Sequence, residues 1–292
     1  MTRKKTIWLC VAAAVLVVLG GLVTLNVLHT RARHKGEPRV DYGTLVRYPA
    51  FPSSHVAPRT VSVWLPEGYE AGEGCAVVYM HDGQNLFDSA LTWNHQTWDV
   101  DSVASCLIRE GRVRPFIVVA IDNTDARLDE YFPGKPEGDA YLQFVTKEVK
   151  PFVDSLYHPL AGPENTFILG SSMGGLISLY ALCEYPEVFG GAVCMSPHFS
   201  LEYVATKARA GELVDYLRKK LPAAGLHRLY FDRGTKGFDA KYGPYQQEVD
   251  AILLERGWDD TRFRSLEFKG HDHGEVYWNA RLEVPLEFML AH

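Results

Sequence analysis

Ser172 lies in the run Phe167-Ile168-Leu169-Gly170-Ser171-Ser172-Met173-Gly174-Gly175. The form G-x-S-x-G, set directly between an apolar run and a helical pattern, presents a serine hydroxyl for nucleophilic attack. Such a serine must stand at a sharp, strained turn at a strand tip, and Gly170 and Gly174 remove side chains that would collide there. Ser171 has no glycine in the required register. A serine hydroxyl is a weak nucleophile, so it needs a base, and the base needs an orienting acid. The chemistry these parts perform together is acyl transfer.

In a strand–turn–helix elbow of this kind the chain order is serine, acid, histidine. The downstream histidines are His198, His227, His271, His273 and His292. His227 begins an expected strand and His292 is terminal. His271-Asp272-His273-Gly274 follows the last expected strand and precedes the last expected helix, where the base belongs. The pattern alone does not choose between His271 and His273. The acid should follow the preceding strand, which offers Asp232 at its end and Asp239 farther along the loop. A His-x-His pair also suits a metal, but no third ligand is apparent, so neither metal nor organic cofactor is expected.

These groups need a scaffold to bring them together. Asp41–Tyr48 and Thr60–Leu65 read as β-segments, the second with alternating Val61, Val63 and Leu65. Ala76–Met80, Phe116–Ile121, Thr166–Leu169 and Gly191–Met195 are short unbroken apolar runs, as expected of strands covered on both faces. Leu226–Phe231 and Phe263–Phe268 complete the strand set. Helical patterns run over Thr97–Glu110, Asp139–Leu156, Met173–Glu184, Gly211–Leu221, Tyr242–Arg256 and Glu275–Leu290. Alternating strands and helices define an α/β class with a mostly parallel central sheet, helices on both faces and an antiparallel start. Ligands bind such sheets beyond the carboxyl ends of the strands.

Charge and hydropathy set further limits. Residues 1–35 carry six basic residues and no acid, which leaves 24 basic against 36 acidic residues, a balance of −12, in the remainder. So acidic a domain repels polyanions, and nucleic acid is excluded as a partner. Five scattered cysteines suit neither a disulfide framework nor a zinc module. Thr6 to Leu28 is 23 residues without a charge, long enough to cross a bilayer as a helix. It is longer than a cleaved signal's apolar region, and Leu28-His29-Thr30-Arg31 offers no small-x-small site. The expectation is therefore an uncleaved single-pass anchor over 6–28 within residues 1–35, followed by a catalytic domain over 36–292. The short basic N-side flank favours N-in, with the domain extracytoplasmic.

The chain resembles the esterase family of α/β hydrolases that includes enterochelin-type, feruloyl and acetylxylan esterases, S-formylglutathione hydrolases and mycolyltransferases. The resemblance spans roughly residues 40–290. It rests on Tyr79 through Asp88, on Ile121-Asp122-Asn123, on the elbow, on Asp232-Arg233-Gly234-Thr235 with Asp239, on Tyr245-Gln246, and on Gly270 through His273 to Trp278. It implies the α/β-hydrolase fold, with Asp239 as the acid and His273 as the base for Ser172. The loop departs from the family pattern after Thr235, where Lys236 stands instead of an acid, and His271 adds an imidazole beside the base.

Developing oxyanion charge needs backbone N–H donors. Met173 supplies one, and Gly83 or Gln84, after the Ala76–Met80 strand, the other. His81, Asp82, Asn85, Asn123, Arg127, Glu130 and Tyr131 follow strand tips and are candidates for binding polar substrate groups. Trp93, Trp98 and Trp278 are candidates for a stacking wall. The implied activity is hydrolysis of a small-molecule or glycan ester through an acyl-serine. An acyltransferase on the same triad, or an inactive binding protein on the same fold, is the alternative. Residue types alone do not choose the acyl group or the alcohol.

Overall fold

Residues 37–72, 74–199 and 207–291 are described by a computed structural model. Eight strands, β1 (Thr44–Phe51), β2 (Arg59–Leu65), β3 (Ala76–His81), β4 (Phe116–Ile121), β5 (Thr166–Ser171), β6 (Gly191–Met195), β7 (Arg228–Gly234) and β8 (Phe263–Phe268), make one sheet. Their order is β1-β2-β4-β3-β5-β6-β7-β8. β1 pairs antiparallel with β2, and β2 antiparallel with β4; every later pairing is parallel. This is the mostly parallel sheet with an antiparallel start that the alternation implies. β1 begins three residues later than its expected span and extends to Phe51, with a register shift between Tyr48 and Phe51.

The central strands are apolar throughout because both faces are covered. β3, β4, β5 and β6 have every residue buried. Successive side chains point to opposite faces, so Val77, Tyr79, Ile117, Val119 and Ile168 enter one core. Ala76, Val78, Val118, Phe167 and Leu169 enter the other.

Among the described residues the α-helices of five or more residues are α1 (Val100–Arg109), α2 (Pro136–Gln143), α3 (Lys150–Tyr157), α4 (Met173–Glu184), α5 (Lys207–Lys220), α6 (Gly243–Glu255), α7 (Glu275–Asn279) and α8 (Glu283–Leu290). α1 buries Val100, Ala104 and Leu107, a stripe at helical spacing, in the second core. α4 is buried from Met173 to Cys183, as expected of a helix packed under a sheet behind a nucleophile. A π-helical turn, Phe144–Val149, joins α2 to α3. The pattern expected to run unbroken over Glu275–Leu290 is interrupted between α7 and α8, and Arg281 falls in the gap. Pro285 lies in the first turn of α8, where its missing N–H leaves no intrahelical bond unmade.

Among the described residues, no helix is long and apolar enough to cross a membrane. The span expected over 6–28 lies outside the described residues.

Candidate active site

β5 ends at Ser171, and the chain turns at Ser172 into α4. Ser172 adopts φ 56° and ψ −120°, a conformation that L-residues rarely take and that a surrounding structure must impose. Its N–H bonds to Met195 O at 2.9 Å, and its carbonyl accepts from the N–H groups of Gly175, Leu176 and His198. Glycine at 170 is required by close approach, since a Cβ there would lie 2.6 Å from the backbone of Gly174. At Gly174 the demand is milder: an added Cβ would come within 3.4 Å of the His81 Cβ. Two further residues with positive φ, Asp82 (56°) and Ser196 (43°), stand immediately beyond the tips of β3 and β6. These three strained positions thus gather at one end of the sheet.

Ser172 and His273 line one cavity of about 480 Å³. The His273 Nδ1 lies 2.7 Å from Asp239 Oδ1, with Asp239 fully buried and the imidazole 16% exposed. The other carboxylate oxygen of Asp239 accepts from Ser196 Oγ and from the Gly234 N–H, both at 2.6 Å. Burial opposes ionisation of Asp239, but the bond to His273 and its charge, with the Ser196 and Gly234 donors, hold the carboxyl below its usual range. Asp232 goes elsewhere: it pairs with Arg281 at 3.0 Å and accepts from the Ser196 N–H and the Tyr230 hydroxyl. Of the two candidate acids, Asp239 is therefore the one bonded to the imidazole.

The two histidines of the loop also separate. The His271 carbonyl accepts from the N–H groups of Thr235 and Lys236, both at 3.0 Å, and its ring packs against Phe268 and Tyr277. It ties the histidine loop to the acid loop. Gly234 must be glycine there, since a Cβ would meet the His271 carbonyl. The His273 ring stands edge-on to Trp278 at 5.0 Å and to Tyr242 at 5.7 Å, which fixes its plane.

The rest of the cavity has a polar and an apolar side. Arg127 clasps Asp82 through Nε to Oδ1 (2.7 Å) and Nη2 to Oδ2 (2.8 Å), and Asn123 donates to Oδ1 at 2.6 Å. Burial opposes ionisation of Asp82, but the guanidinium and these donors hold its carboxyl below the ordinary value. Gln84 lines the cavity and accepts from the Asn123 N–H, and Asn85 lies beside it. Trp93, Trp98, Trp278 and Leu91 form the apolar side; Trp98 and Trp278 are 5.5 Å apart, whereas Trp93 is 84% exposed. The Met173 and Gln84 amides both lie at the first turns of helices, where backbone N–H groups have no intrahelical acceptor. Gly83 is buried, and a Cβ on it would lie 2.8 Å from the Ile121 backbone and from Asp122.

Three expected rim residues are core residues instead. His81 is 2% exposed, its Nδ1 is 2.7 Å from the Tyr141 hydroxyl, and burial lowers its pKa to about 3, so it is neutral. It is the last residue of β3 and points beneath the sheet end, while Asp82 turns into the cavity. Tyr131 is fully buried, and its hydroxyl accepts from the Asp82 N–H. Glu130 forms a buried fork with Arg59 at 2.7 and 2.6 Å. Sequence reasoning missed Ser196, Arg281 and Glu275. Ser196 carries a weak signal, a polar residue just past the tip of an apolar strand; Glu275 directly follows the histidine loop; Arg281 carries none, since it lies within a helical pattern.

The strained serine and the carboxylate-bonded imidazole both lie at the carboxyl ends of the strands, where sheets of this class bind ligands. The family described as "Putative esterase" matches residues 54–284, and the chain belongs to it: it is a carboxylic ester hydrolase. The chain is 25% identical over 251 residues to the uncharacterized protein YbbA of Bacillus subtilis (strain 168), covering 79% of this chain and 92% of that one. The enterobactin esterase FES from Shigella flexneri has a similar structure, with TM-score 0.65 and 19% identity over 86% of this chain. The match covers 60% of that enzyme, so this chain spans less than two thirds of its length. A ferulic acid esterase matches with TM-score 0.66 and 19% identity, over 85% of this chain and 98% of its own. At these identities the two structures establish a common fold.

Proposed function

We propose that the enzyme cleaves its ester through an acyl-serine on Ser172. His273 Nε2 takes the hydroxyl proton as Ser172 attacks the ester carbonyl, and then delivers it to the departing alcohol. Water attacks the acyl-serine with the same imidazole as base. Asp239 holds Nδ1 protonated so that Nε2 is the basic nitrogen. The tetrahedral oxygen accepts from the Met173 N–H and from the backbone N–H at Gln84 or Gly83, donors of a kind each worth about 2.7–4 kcal/mol. These groups form the Ser–Asp–His set of an α/β hydrolase, and no cofactor enters any step. One observation carries the reading: the 2.7 Å bond from Asp239 to His273, in the same cavity as a serine held at φ 56°.

The cavity suits an ester with a planar ring against the tryptophans and polar substituents toward Asn123 and Arg127. Siderophore catecholate esters and feruloyl esters, including feruloyl groups carried on a glycan, have this form, and the names of the structural neighbours support it. Residues 6–28 anchor the chain in a membrane, with the catalytic domain extracytoplasmic, a reading supported by their 23 uncharged residues. The test is a panel of acetyl, octanoyl, feruloyl and catecholate esters hydrolysed by the full chain in detergent. Turnover of at least one ester, abolished in Ser172→Ala, is the expected result. Retained turnover in that variant would overturn the mechanism. Product formed on an added sugar or glycerol in place of free acid would identify an acyltransferase.

A further inference from the structure

We propose that Ser196 and Arg281 form a positioning unit that sets the orientation and charge of Asp239, and through it decides which nitrogen of His273 faces Ser172. The proposal rests on the triad reading above.

The argument begins with the proton inventory of one hydroxyl. Ser196 Oγ lies 3.1 Å from Trp278 Nε1, 2.7 Å from Arg281 Nη2 and 2.6 Å from Asp239 Oδ2. An indole N–H and a guanidinium can only donate. Ser196 must therefore accept from both, and its single proton has one destination, Asp239 Oδ2. That oxygen also receives the Gly234 N–H, so it is saturated as an acceptor. Asp239 is thereby held as a carboxylate with Oδ1 left for His273. The bond at Oδ1 then needs a proton on Nδ1, and Nε2 is left as the basic nitrogen. The chain of donors fixes the tautomer from two side chains away.

Charge is balanced by the same unit. Arg281 Nη2 is 3.0 Å from Asp232 and 3.6 Å from Asp239, and all three side chains have no exposure. Burial raises the Asp232 carboxyl and the Arg281 guanidinium opposes that rise; with both aspartates ionised beside the cation the group carries one negative charge, and it becomes neutral when His273 takes a proton from the attacking serine. A buried site that reaches neutrality in the transition state favours the imidazolium. Other titratable and charged groups face this pair: Tyr230 donates to Asp232, and Tyr242 stands edge-on to His273 with His198 bonded behind it. Asp272 accepts from the His273 N–H, and Glu275 lines the cavity.

Arg281 uses one nitrogen, Nη2, for all its contacts to Ser196 and the two aspartates. A lysine ammonium can take that place, because no bidentate fork is at stake. Loss of the cation leaves the carboxylates beside His273 uncompensated, which favours the imidazolium over the free imidazole and moves the acidic limb of the rate profile to higher pH.

The experiment measures kcat and KM against pH, together with the far-downfield proton resonance of the His273 Nδ1–H, identified by its loss in His273→Ala. Ser196→Ala is expected to lower kcat by about 10- to 100-fold with KM within about twofold, and to shift or abolish the resonance. Arg281→Met is expected to raise the acidic limb, and Arg281→Lys to return it. If Arg281→Met does not fold, Asp232→Asn/Arg281→Met removes one charge of each sign; its limb is expected near the native position. Native kcat and a native resonance in Ser196→Ala would overturn the proposal, as would an unmoved limb in Arg281→Met. The resonance needs no substrate, so it reports on the unit even if the chain hydrolyses no ester, the result that would instead defeat the triad reading.

Discussion

On the β7 side of Ser172, Arg281 lies against Asp232 and Asp239, and none of the three side chains has any exposure. On the β4 side, Arg127 clasps Asp82 with 26% of the arginine side chain and 10% of the aspartate open. Both clusters join arginine to aspartate near the same cavity, but burial gives them different tasks. A sealed cluster pays a large desolvation cost and has no water to trade its bonds with, so its geometry is held. It is suited to orienting a base. A partly open fork can trade an internal bond for one to a ligand, so it is suited to recognition. The ring of Tyr131 behind Arg127, at 5.1 Å from the guanidinium, limits how far that fork can swing.

The comparison predicts a division between turnover and binding. Asp239→Asn should lower kcat by about 10⁴-fold with little change in KM, because the amide favours the wrong imidazole tautomer. Arg127→Met should act mainly on KM, raising it by about 10-fold or more, with a smaller effect on kcat. Steady-state kinetics on one ester checks both, and equal effects on KM would erase the distinction between the clusters.

Acid unfolding sharpens it further. The carboxyls of Asp82 and Asp239 lie below their ordinary value: burial opposes this, but Arg127 and Asn123 prevail at one, His273, Ser196 and Gly234 at the other. Each therefore contributes stability that is complete above the unfolded carboxylate value of about 4 and is lost as pH falls through the folded value. Asp82→Asn should flatten the fall of the thermal midpoint below about pH 4. Asp122 has the opposite sign. Burial raises its carboxyl to about 6, with the Arg47 charge opposing the rise, so its ionisation costs stability as pH climbs toward that value. Asp122→Asn should raise the thermal midpoint at pH 7 by about 2–4 °C and leave it unchanged at pH 4. A gain at both pH values would show that something other than the buried charge had changed.

Much of the scaffold was legible because its signals are local. Phe116–Ile121, Gly191–Met195 and Phe263–Phe268 are strands over the spans their apolar patterning implies, and Met173–Glu184 is a helix over its whole expected length. The elbow was legible for the same reason: its glycines answer to a turn a few residues long. His271 and His273 were not separable, because only the contact of the His271 carbonyl with the acid loop turns one inward and leaves the other as a tie. His81 reads as a rim residue because it ends β3, yet a one-residue step at a strand tip reverses the side-chain direction; Tyr131 caps the short helix Arg127–Glu130 and is buried there. Arg281 was hidden by helical periodicity; the break before α8 that turns it toward Asp232 depends on packing, not on pattern.

The most direct test of the central claim is to treat the full chain with a fluorophosphonate and map the adduct by mass spectrometry. A single adduct on Ser172, formed rapidly in the native chain and at least about 10³-fold more slowly in His273→Ala, is the predicted result. An adduct on Ser171 instead, or hydrolysis of an ester with Ser172 left unmodified, would contradict it.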